Sequence, residues 1–322
     1  MSPLAYALLQ AAIFASFAMT AVRAWKISRE RFLELMTAFA FGLLLEEGDI
    51  LLFGTYGYSR HWLSIGLVPI GIGMTWAMII AASMNLSDAL GLPSVEASAE
   101  PSAGAQESRR HPSPIPRWAL ASVADAVWAI LLDLAFDAVA IRLGLWTWTI
   151  PLDSGWFGVP YGNFFAWLFV AVFFSLGTRL VRKSGKTWIQ LLVPLGAYAG
   201  LLAMIVLHDS IGALVFSGDP NRQWLPFLLA FAAFSLATLG ALLLRRGKAR
   251  EKPDPWLALV RLLIHGTFMA AMLAIGIPAR APTLLVVALV MFALELALLG
   301  TAFILPRERK RAAAERKAGT EG

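Results

Sequence analysis

Five carboxylates stand in stretches that are otherwise apolar. The run FGLLLEEGDILLFG, residues 41–54, holds Glu46, Glu47 and Asp49, with no lysine or arginine within ten residues of the three. A second run, LLDLAFDAVAIRLGLWTW, residues 131–148, holds Asp133 and Asp137 and ends in a tryptophan pair. On a helix, residues four apart share a face, so Asp133 and Asp137 point the same way; Glu46 and Asp49, three apart, do the same. Glu47 projects roughly 100° from Glu46. Close carboxylates repel, and apolar surroundings favour the neutral acid. A neutral carboxylic acid in an apolar, aromatic pocket can deliver a proton near neutral pH, and a second carboxylate can receive one. The plain alternative for each acid is a helix cap or an interhelical hydrogen bond. Glu47 also reads as a partner behind Glu46, and Asp49 as the rim of the site.

The elements that carry these acids are membrane helices. The chain has 322 residues, 58% hydrophobic and only 15% charged, with a mean hydropathy of +0.68. Ordinary soluble domains are about 45–50% apolar and about 25% charged. Nine segments can span roughly 30 Å of hydrocarbon, near 4–22, 32–53, 62–84, 118–142, 161–181, 188–208, 224–244, 257–277 and 282–304. The first lacks a basic region before its apolar part and a small-residue cleavage site, so it reads as a retained helix. Backbone groups in lipid must be satisfied internally, which leaves helices for such runs. The expectation is an all-α polytopic bundle of about nine transmembrane helices, a single domain over 1–308.

Basic residues give the orientation. Stretches 23–31, 109–117, 179–186, 245–252 and 307–317 hold 22 of the 27 lysines and arginines. The alternate loops hold only Arg60, Arg142, Arg222 and Arg280, and Arg261 falls inside the eighth span. The positive-inside rule then puts the amino terminus outside and the carboxyl terminus in the cytoplasm, as expected for a bacterial cytoplasmic membrane. It also accounts for the net charge of +6: these groups orient helices and meet anionic lipid, so nucleic acid is not an expected partner. Residues 93–117, rich in Pro, Ser, Ala and Glu, read as a disordered cytoplasmic linker. Residues 309–322 read as a basic cytoplasmic tail.

With that topology, four parts of the chain reach one outer depth: the acids of 46–49, Asp133 with Asp137, the loop WTWTIPLDSGWFGVPYGNFFAW (146–167), and His208 with Asp209. The loop contributes Trp146, Trp148, Trp156, Asn163 and Trp167. Tryptophans also gather at interfaces for ordinary physical reasons, whereas an amide such as Asn163 at the start of a span needs a partner or a substrate. Arg142 and His208 are the candidate basic partners at this level. Asp125 and Glu295 lie deeper and read as lone acids; Arg261 and His265 form a polar patch in the cytoplasmic half.

Missing residues narrow the chemistry. There are no cysteines, and the histidines at 61, 111, 208 and 265 are scattered. No aspartate-rich diphosphate motif, no glycine-rich dinucleotide fingerprint and no P-loop is present. Neither a metal nor an organic cofactor is expected.

The two blocks LLEEGDILLFGTYGYSRHWLSIGLVPIGIGMTWAMI and LLDLAFDAVAIRLGLWTWTIPLDSGWFGVPYGNFFAWLF resemble the CruF-like carotenoid biosynthesis proteins, which are carotenoid 1,2-hydratases and include the bisanhydrobacterioruberin hydratases. The resemblance covers about residues 40–175. Asp133, Asp137, Gly144, Trp146 and Trp148 fit the family's D-x-x-x-D-P-x-x-x-x-x-G-x-W-x-W pattern, and Gly158, Val159, Pro160, Asn163, Phe164 and Trp167 fit G-V-P-x-x-N-F-x-G-W. Ala138 stands where the family carries proline, and Ala166 where it carries glycine. The resemblance implies cofactor-independent hydration of the terminal C=C bond of an acyclic carotenoid, a hydro-lyase reaction. It implies Asp133 and Asp137 as proton donor and water-orienting base, unordered, with Glu46 and Glu47 as alternates or partners. Asn163 would hold water or the product hydroxyl. Trp146, Trp148 and Trp167 would line the cation site, with Asp49, Tyr56, Pro160 and His208 around the substrate. Three alternatives remain from the residues themselves: another polyene-modifying enzyme of this architecture, a transporter using the acids as proton sites, and a lipid- or isoprenoid-binding protein. A transporter should show repeated halves, and no internal repeat is visible.

Overall fold

The computed structural model describes residues 3–59, 63–92, 116–216, 224–244 and 252–304. The expected linker, apart from Pro116 and Arg117, and the expected tail lie outside the described residues. Nine long helices are present among the described residues: α1 (Pro3–Ile27), α2 (Arg29–Phe53), α3 (Ile70–Ala89), α4 (Arg117–Leu143), α5 (Tyr161–Ser184), α6 (Val193–Phe216), α7 (Trp224–Leu244), α8 (Pro255–Ala274) and, after the short α9 (Ile277–Arg280), α10 (Pro282–Ile304). A 3₁₀ segment, Thr187–Leu192, leads into α6. Eight of the nine are long and apolar enough to cross a membrane. The exception is α2, equally long, whose apolar run is broken by Arg29, Glu30, Arg31 and Glu34 at one end and by Glu46, Glu47 and Asp49 at the other.

The remaining regular structure is two small ribbons. Strand β1 (Tyr56–Tyr58) pairs antiparallel with β4 (Trp146–Trp148), and β2 (Ser64–Ile65) pairs with β3 (Val68–Pro69). The second ribbon delays the third span, expected from residue 62, until Ile70. Gly66 takes a left-handed turn at φ 60°, and Pro69, extended at ψ 134°, caps α3. Two further glycines, Gly54 (φ 61°) and Gly144 (φ 73°), end α2 and α4 in the left-handed conformation. A side chain there would be strained. Each glycine releases the chain from a helix into one strand of the first ribbon.

Packing is reversed relative to a soluble protein. Leucines and isoleucines cover the outside, with Leu214 and Ile304 more than four-fifths exposed, while charged side chains are buried. Helix α4 is the hub and touches α3, α5, α7, α8 and α10. Gly42 of α2 permits close approach to α3: a Cβ there would lie 2.7 Å from Trp76 Cβ.

The buried charges correct one expectation. Asp125 and Glu295 are not lone acids. Arg261 on α8 forks onto Glu295 of α10 at 2.6 and 2.7 Å, and also donates to Ser83 Oγ of α3 and to the Trp128 carbonyl of α4. His265 Nε2 lies 3.7 Å from the same Glu295. Arg179, which the sequence groups with a cytoplasmic loop, is fully buried on α5 and binds Asp125 at 2.9 Å and Asp88 at 2.7 Å. Buried ion pairs are poor sources of net stability, but breaking one strands the partner's charge. These two clusters fix how five helices register against one another. Among the described residues they leave the acids at the other end of the bundle without an arginine partner.

Candidate active site

The ends of α2 and α4 and the starts of α3 and α5 meet at that other end. Strand alternation puts Tyr56 and Tyr58 on one face of β1, and Trp146 and Trp148 on one face of β4. The register opposes Tyr56 to Trp148 and Tyr58 to Trp146, with ring centroids 4.7 Å and 6.0 Å apart. Thr149 N extends the ribbon by donating to Thr55 O at 2.9 Å, and Ser59 Oγ ties it to the end of α4 by donating to Gly144 O at 2.5 Å.

Under this ribbon is a cavity of about 210 Å³, lined by Glu46, Asp49, Tyr56, Tyr58, Trp76, Phe136, Asp137, Trp146, Trp148, Asn163, Ala166 and Trp167, with α1 and α8 closing the side. Glu46 is almost wholly buried, and three donors converge on its carboxylate. Tyr56 Oη donates to Oε2 at 2.5 Å, Tyr58 Oη donates to the same oxygen, and Trp76 Nε1 donates to Oε1 at 2.6 Å. Asp137 accepts from Trp146 Nε1 at 2.8 Å on Oδ1 and from Asn163 Nδ2 at 2.7 Å on Oδ2. Two carboxylates from different helices therefore share one cavity, each oriented by N–H and O–H donors. Around them the rings of Trp76 and Trp167 lie 4.1 Å apart, and Phe136 meets Trp146 and Trp167 edge-on at 5.8 and 5.9 Å. Ring faces attract cations, so this box can hold a transient positive charge beside two acids.

The cavity reaches the outside of the bundle between α1 and α8. Ala12, Leu263 and Thr267 line it and are also exposed. A long apolar molecule can therefore reach the acids sideways, from lipid.

The remaining sequence candidates fall in different places. Asp133 is fully buried one turn below Asp137 and does not line the cavity; neither of its oxygens meets a hydrogen-bond donor among the described residues. Asp49 lines the rim, with Oδ1 buried and unpartnered among the described residues. Glu47 turns away and accepts from Leu67 N at 2.7 Å, holding the Gly66 turn. His208 packs on Phe165 and pairs with Asp209 at 3.0 Å, off the cavity. Pro160 caps α5 rather than lining the pocket, and its carbonyl accepts from Asn163 N at 3.0 Å, starting the turn that aims Asn163. Arg142 meets no acid among the described residues; it donates to the Phe157, Ala138 and Leu152 carbonyls and pins the 150–158 loop. Trp156 likewise bonds the Leu134 carbonyl. Of the two positions that depart from the family pattern, Ala138 lies within an uninterrupted α4, and Ala166 puts a methyl group on the cavity wall.

Sequence reasoning missed Tyr58, Trp76 and Phe136. A signal existed for Tyr58: Y-x-Y after a helix-ending glycine mirrors W-x-W after another, the period of two paired strands.

Fold and site together define a polytopic helical membrane protein with a buried acid–aromatic chamber that opens toward lipid. The chain belongs to the carotenoid biosynthesis protein family, which matches residues 3–236. No curated protein and no solved structure matches it. Its role accordingly lies in carotenoid biosynthesis.

Proposed function

We propose that this protein hydrates the terminal C=C bond of an acyclic carotenoid in the bacterial cytoplasmic membrane. The observation that carries the reading is the pairing of Glu46 and Asp137 across one aromatic-lined cavity buried in an apolar bundle. Protonating a trisubstituted alkene gives a tertiary carbocation, in which the π pair forms the new C–H bond. Water then forms the C–O bond and releases its extra proton.

We assign Asp137 as the acid. Once its proton leaves, Trp146 Nε1 and Asn163 Nδ2 already point at the oxygens that carry the new charge, in the manner of a preorganised anion site. Trp76, Phe136, Trp146 and Trp167 face the cation. Glu46 takes the proton from the attacking water, directly or through the Tyr56 and Tyr58 hydroxyls, and returning that proton to Asp137 completes the cycle. Atoms balance without an external oxidant or reductant. Asp133 sits behind Asp137 as a buried proton-holding group, and Asn163 orients water or the new hydroxyl. Glu47 holds the 66–67 turn that leads into α3.

Expression in a lycopene-producing bacterium tests the reading. Pigment should gain the mass of one water per modified end with the wild-type protein, and none with Asp137→Asn. Unchanged pigment mass with well-expressed wild type refutes hydration.

A further inference from the structure

A second cavity, about 530 Å³, lies toward the opposite end of the bundle. It is flanked by five helices that also flank the acid cavity, α1, α2, α3, α5 and α8. The two linings nearly touch: Ser16 and Thr20 on α1, Val170 and Phe174 on α5, and Leu257 and Val260 on α8 are each about one helical turn apart, while Ile79 and Ile80 on α3 are adjacent. Between the two linings in chain position lie Phe17, against Phe39 at 5.5 Å, and Phe41, stacked on Phe174 at 5.2 Å, an aromatic septum. Only Phe17 and Thr20 of α1 are buried, so the helix in front of both cavities is lightly held.

Most charges in the second cavity are paired with one another, while the exposed Lys252 meets no acid among the described residues. Arg23 forks onto Asp254 at 2.9 and 3.0 Å; Arg182 forks onto Glu34 at 2.7 Å on both oxygens; Asp88 is held by Arg179. Away from Lys252, a phosphate or carboxylate entering here would have to break those pairs. The unclaimed surface is apolar, with Leu35, Ile80, Met84 and Phe174 along it. Length points the same way. From Asp49 at the acid cavity to Arg31 at the second is eighteen residues of α2, about 27 Å at about 1.5 Å per residue, close to the roughly 30 Å hydrocarbon thickness.

We propose that the two cavities are the two ends of one slot behind α1, filled by a single rod-like, uncharged polyene. Its reacting end sits between Glu46 and Asp137, and its far end passes the phenylalanine septum into the second cavity. The slot thus selects substrate by length. This rests on the hydratase reading for the identity of the reacting end, but binding can be measured without turnover.

Ala24 and Ala81 line the second cavity, are only partly buried, and are remote from the acids. Purified wild type, Ala24→Trp and Ala81→Trp are titrated with a full-length acyclic carotenoid and with a half-length polyene, followed by the shift in polyene absorbance. The slot predicts about tenfold or weaker affinity of both variants for the long ligand, at constant affinity for the short one. Equal affinity for the long ligand in all three proteins overturns it. A long polyene with a photoreactive group at its far end decides the matter on wild type even if a variant does not fold. Labelling within 20–27 or 80–89 supports the slot. Labelling confined to the outer lipid face, or a phospholipid retained by wild type and lost from both variants with polyene affinity unchanged, refutes it. If binding behaves as stated while pigment mass never changes, the slot stands and hydration falls.

Discussion

Glu46 and Asp137 are both buried carboxylates, but their neighbours give them different tasks. Removing either should lower turnover while leaving the cavity in place, because an amide keeps the shape and most of the hydrogen bonds. Glu46→Gln and Asp137→Asn are each expected to lose roughly 100-fold or more in rate, the usual range of general acid–base catalysis, with carotenoid binding retained. Single-turnover kinetics on purified protein would read this. Asp133 should behave differently. Both its oxygens are buried without a donor among the described residues, and an unsatisfied buried polar group costs about 1–3 kcal/mol. Asp133→Leu should therefore raise thermal stability while lowering turnover; higher stability at full activity would remove Asp133 from the proton path. At this scale the sequence was informative for acids and amides, since Glu46, Asp137 and Asn163 stand out in apolar runs. It was silent on Trp76 and Phe136, because a chain with 12 tryptophans and 20 phenylalanines gives no sign of which rings meet an acid.

Helix spans were legible because length and apolarity alone define them: α1, α2, α4, α5, α7, α8 and α10 follow the expected runs closely, while α3 and α6 start later than expected, behind a ribbon and a 3₁₀ segment. What could not be read was pairing. The β1–β4 ribbon joins residues far apart in the chain, and three-residue strands lack a periodic signal of their own. The ion pairs of Arg179 and Arg261 were hidden for a related reason: partner choice across helices depends on rotation that hydropathy does not specify. Two outcomes follow for the elements. Gly42→Val puts carbon 2.7 Å from Trp76 Cβ and should push α3 off α2, weakening the Trp76–Glu46 bond and cutting both stability and activity. Arg261→Met strands Glu295 and should cost about 3–5 kcal/mol, whereas Arg261→Met with Glu295→Met should recover most of it. Melting temperatures of the three proteins check this; no recovery in the double variant would mean that the pair is not the link.

For the whole molecule, orientation decides which face the chamber meets. The basic stretches predict the 150–158 loop outside and the end of α5 inside. With no native cysteine, single substitutions report cleanly. Asp153→Cys in intact cells should react with a membrane-impermeant maleimide, and Ser184→Cys should react only after lysis; the reverse pattern would invert the topology.

The central claim is that a carboxylic acid protonates the polyene and water supplies the oxygen. The most direct measurement is the isotope content of product formed by purified protein in water labelled in both oxygen and hydrogen. Hydration at the Glu46–Asp137 chamber predicts one labelled oxygen and one labelled carbon-bound hydrogen for every modified end, with neither appearing when Asp137→Asn replaces wild type. Product oxygen drawn from molecular oxygen, or a labelled hydroxyl without labelled hydrogen on the adjacent carbon, would contradict it.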